Sequence, residues 1–81
     1  MSKRKADVPA DPEGKNRLRA IWAGSAVDSF IRETRTERSD ALCDLLADLA
    51  HWADRNGFTF ETELRRAMKH YDEETRLANF H

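Results

Sequence analysis

Leu42, Leu45, Leu46, Leu49 and Ala53 stand at i, i+3, i+4, i+7 and i+11, a narrow apolar stripe at the period of an α-helix. Trp52 flanks the stripe on one side and Cys43 on the other. The pattern predicts a helix near 37–56, opened by Thr36 or Ser39. Its end is marked by Asn56-Gly57, where glycine suits a left-handed residue just past the helix and Phe58 can pack back on Trp52 and Ala53. A further helix follows near 60–78. Thr59 is placed to cap it, Glu61 and Glu63 face the positive end of its dipole, and Phe60, Leu64, Ala67, Met68, Tyr71 and Ala78 line one face. Its other face sets Glu61 against Arg65, Lys69 against Glu73 and Asp72 against Arg76 at i, i+4, pairs of about 0.3–0.5 kcal/mol each.

Upstream, Asp11-Pro12-Glu13 reads as a helix start, with Asp as cap and Pro at the first helical position. The helix predicted near 12–33 carries Leu18, Trp22, Ala26 and Phe30 at a four-residue stride, with Ile21, Val27 and Ile31 to one side. Gly24-Ser25 lowers its propensity and permits a kink or a close neighbour. Residues 1–11 hold Lys3, Arg4, Lys5 and almost nothing apolar, so they are expected to form a flexible tail. The fold expected is all-α, a small three-helix bundle spanning 12–81 as one domain.

Composition narrows the function classes. In 81 residues, Lys and Arg number 14 and Asp and Glu 15, for a net charge of −1. That near-cancellation removes the bulk electrostatic case for nucleic acid or an anionic membrane surface. Charged residues make up 36% and apolar ones 40%, enough for a thin core only. The single Cys43 cannot form an intrachain disulfide, no secretory signal follows the basic N-terminus, and the longest uncharged run, Ala20 to Val27, is far shorter than the roughly 20 apolar residues of a membrane span. A cytoplasmic protein without a membrane segment is expected.

Few residues are arranged for chemistry. Asp40, Asp44, Asp48 and His51 form a stripe on the outer face of the second helix. Such a stripe could hold a divalent ion if another helix supplied ligands, but no HExxH or Glu-x-x-His pair completes it, so neither metal nor cofactor is expected. Cys43 has no base within one helical turn, and the glycines at 14, 24 and 57 stand apart from any phosphate loop. His70 and His81 read as exposed. Trp22, Trp52, Phe30 and Tyr71 fall at core-facing phases, with Trp52, at the stripe's edge, best placed for an interface. Charge is segregated as well. Lys15, Arg17, Arg19, Arg32, Arg35 and Arg38 dominate the first helix region, whereas Ser39 to Asp54 holds four Asp and no Lys or Arg. Helix-one bases are therefore expected to face helix-two acids, with the alternative that the two-sidedness orients a partner or a second copy.

The stretch DALCDLLADLAHWADRNGFTFETELRRAMKHY, Asp40 to Tyr71, resembles the last two helices of MazG-type nucleotide pyrophosphohydrolases. In that all-α family, carboxylates from two helices hold magnesium against substrate phosphates. Asp40 and Asp44 match two acidic positions, Ala41 stands at the second Glu position, and the upstream Glu-x-x-Glu pair is missing. The resemblance thus implies a degenerate or oligomer-dependent relative. The same stretch also resembles short helical proteins encoded on bacterial plasmids and phages. The leading expectation is a non-enzymatic interaction protein that binds and modulates, in one version inhibits, a host protein complex through Asp40, Asp44, Asp48, His51 and Trp52. A homodimer through Trp52 and the helix-one aromatics is a further expectation. A DNA-binding regulator using Arg17, Arg19, Arg32, Arg35 and Arg38 is the third reading, weakened by the lack of a recognition helix.

Overall fold

The computed structural model describes residues 8–79 and contains three helices among them: α1 (Lys15–Thr34), α2 (Arg38–Arg55) and α3 (Phe60–Asn79). The all-α architecture is as expected. The tail expected over 1–11 lies mostly outside the described residues, as do His81 and the side chain of Ala78.

The start of α1 shows how local chemistry moved a boundary. Asp11 does cap: its carboxylate accepts from the Asn16 amide at 3.2 Å and the Arg17 amide at 2.8 Å. It does so across an intervening turn, closed by the Gly14 amide on the Asp11 carbonyl at 3.1 Å. Pro12 therefore sits in the turn, and Gly14, left-handed at φ 75°, is the N-cap. The helix begins at 15, not 12. It then runs unbroken through Gly24, where an added Cβ would meet nothing within 4 Å. At its other end Arg35 takes a left-handed φ of 63° and donates its amide to the Ile31 carbonyl at 2.8 Å. Thr36 and Ser39 are not the caps of α2: that position is Glu37, without a side-chain cap.

The α2–α3 turn follows the sequence closely. Gly57 adopts φ 83°. The Phe58 amide donates to the Ala53 carbonyl at 3.0 Å, the six-to-one bond of a Schellman cap. The Phe58 ring stacks on Trp52 with centroids 5.6 Å apart and 18° between planes. On α3 the charge pairing differs from the i, i+4 expectation: among the described residues its internal ion pair is Glu63–Arg66, at 2.8 Å.

Packing is sparse. Among the described residues only Ala41 (1% exposed) and Ala53 (4%) are buried. Around them Val27, Phe30 and Ile31 of α1, Leu45 and Ala50 of α2, and Phe60 of α3 are half-buried. The face of α1 turned inward thus runs through Gly24, Val27 and Ile31, while Leu18, Ile21 and Trp22 are exposed. This corrects the expectation of a core stride through Leu18 and Trp22. Trp52 and Tyr71 are likewise exposed and not in a core. The far ends of α1 and α3 meet through Glu74, whose carbonyl accepts from Asn16 Nδ2 at 3.4 Å and whose carboxylate lies 3.3 Å from Arg19 Nε. The result is elongated, 42 × 28 × 25 Å with a radius of gyration of 14.6 Å, against about 12 Å for a compact domain of this length.

Two glycine substitutions should move stability in opposite directions. Gly24→Ala is expected to add up to about 1 kcal/mol by raising helix propensity in open space. Gly57→Ala is expected to cost about 1–2 kcal/mol by forcing a side chain into the left-handed region. Denaturant unfolding followed by circular dichroism reads both.

Candidate protein-interaction surface

The surface chemistry divides into an apolar face and an acidic one. The apolar face belongs to the α2–α3 hairpin. Because Gly57 reverses the chain within a few residues, Leu46, Leu49 and Trp52 of α2 come to lie across from Phe60 and Leu64 of α3, with Phe58 at the closed end. Between them runs an open groove of about 360 Å³. Leu46, Leu49, Trp52, Phe58 and Leu64 line it and are exposed, and Leu42, Met68 and Tyr71 are exposed elsewhere on the two helices. A monomeric protein seldom leaves so many large apolar side chains uncovered around one groove.

The acidic face is the outer side of α2. Asp40, Asp44, Asp48 and His51 are all exposed there, as the helical spacing required. The structure does not gather them into one cluster. Asp44 accepts a hydrogen bond from the Thr36 hydroxyl, which ties it to the α1–α2 turn. With Asp48 it borders a shallow hollow of about 320 Å³ whose other wall includes Phe30 and Thr34. Among the described residues no three His, Cys, Asp or Glu side chains are grouped so as to hold a metal ion. Trp52 follows Asp48 by one helical turn and so joins the acidic face to the apolar groove.

The charge complementarity expected between α1 bases and α2 acids does not form. The ion pair between these helices runs the other way, from Arg38 of α2 to Asp28 of α1 at 3.6 Å, with both side chains largely exposed, an arrangement of roughly 0–1 kcal/mol. Among the described α1 bases, Arg19 pairs with Glu74 of α3 and Lys15 with Glu13. The α2 carboxylates Asp40, Asp48 and Asp54 are thus not neutralised from within the described chain. Cys43 is exposed.

What the spacing missed is the outward face of α1, where Leu18, Ile21 and Trp22 stand in solvent, Trp22 at 63% exposure. Its only signal was that apolar residues on this helix occupy more than one face. A second hollow, of about 680 Å³, lies where Val8 and Pro9 pass between α1 and Tyr71 of α3.

No family model, no curated protein and no solved structure matches the chain. No helix of the described residues is long and apolar enough to cross a membrane.

The two tryptophans should separate by their stability effects. Trp52→Ala removes the stack on Phe58 and is expected to cost about 0.5–1.5 kcal/mol. Trp22→Ala, on a bare face, is expected to stay within about 0.5 kcal/mol. Parallel urea titrations of the two variants check this.

Proposed function

We propose that this chain is a small non-enzymatic interaction module that acts by binding a protein partner and modulating it. The observation that carries this reading is the exposure of Leu46, Leu49, Trp52, Phe58 and Leu64 around the hairpin groove, beside a row of carboxylates that make no ion pair among the described residues. Desolvated aromatic and aliphatic side chains provide most of the affinity in protein interfaces, and flanking charge provides orientation and rate. Asp40, Asp44, Asp48, His51 and Trp52 form the flank of that surface. The finer reading, a mobile-element protein that inhibits a host complex in the cytoplasm, rests on the resemblance of Asp40–Tyr71 to plasmid- and phage-encoded helical proteins.

The nucleotide pyrophosphohydrolase reading has the hairpin in its favour, but its chemistry calls for carboxylates from a second helix. On α1 the candidates are Asp28, which pairs with Arg38, and Glu33, which is exposed.

Charge reversal separates these readings. Asp44→Lys with Asp48→Lys is expected to leave the helical spectrum intact and to abolish enrichment of the protein that the tagged wild-type chain retains from its native host extract. Equal retention by the variant would remove the acidic face from the contact. In parallel, magnesium-dependent pyrophosphate release across a panel of nucleoside triphosphates is expected to be absent. Release that disappears on Asp44→Asn would replace the interaction reading with the enzymatic one.

A further inference from the structure

We draw no further inference here: the strongest candidate, the apolar face that α1 turns to solvent with Leu18, Ile21 and Trp22, carries none because nothing in the structure shows what covers it.

Discussion

Everything in this structure follows from how little of its apolar surface the chain can hide by itself. Ordering a residue's backbone costs about 1–2 kcal/mol in entropy, and burial of apolar area is the main term that offsets it. Among the described residues the buried side chains are two alanines, Ala41 and Ala53, which contribute about a methyl group each. The larger residues nearest the centre, Val27, Phe30, Ile31, Leu45 and Phe60, are half-covered. Three helices of 20, 18 and 20 residues are rods of about 30 Å or slightly less, and they meet mainly near their ends. A rod touched near its ends leaves its middle wet. Additional protein surface is the direct way to dry it.

That constraint makes sense of which local features are strongest. The α2–α3 turn combines a left-handed glycine, a six-to-one backbone bond and an aromatic stack in seven residues. It holds α2 and α3 at a fixed separation, so the groove between them exists before anything fills it. A surface organised in advance loses less entropy on association than one that must be assembled. At the α1 end the fastenings are polar and exposed: the Asp11 cap, the Glu74 bridge to Arg19 and the Arg38–Asp28 pair. These set direction more than they add stability.

The sequence made the helices legible and left the packing obscure, for a physical reason. Gly57, Phe58 and Trp52 announced their turn because a Schellman cap is decided within six residues. Asp11 announced capping but not the start of α1, since the same carboxylate can cap directly or across a turn, and Pro12 and Gly14 suit the second arrangement. Trp22 and Leu18 were misplaced because helical period reports that a face is apolar, not that something covers it. The same limit applied to charge: bases on α1 and acids on α2 looked complementary in the linear sequence, but the helices meet at Asp28 and Arg38 instead. The acidic stripe itself, Asp40 to His51, was legible as a face. Its separation into an Asp44 tied to Thr36 and an Asp48 left open was not, because the Thr36 hydroxyl comes from the turn before the helix.

The charge pattern and the apolar pattern can be reconciled by assigning them to different contacts. If the acidic face of α2 had evolved to hold α1, the four Asp of 40–54 would meet Arg17, Arg19 or Arg32, and none of the ion pairs among the described residues does this. Carboxylates in water gain nothing for the monomer, and four of one sign on one helix repel each other. Each like-charged i, i+4 pair on this exposed face costs only about 0.2–0.5 kcal/mol. Asp40 and Asp44, toward the α1–α2 turn, lie farther from the groove. With Thr34 and Phe30, Asp44 borders the hollow at that turn. The acidic and the apolar faces of α2 are thus adjacent, with Trp52 at the border between them.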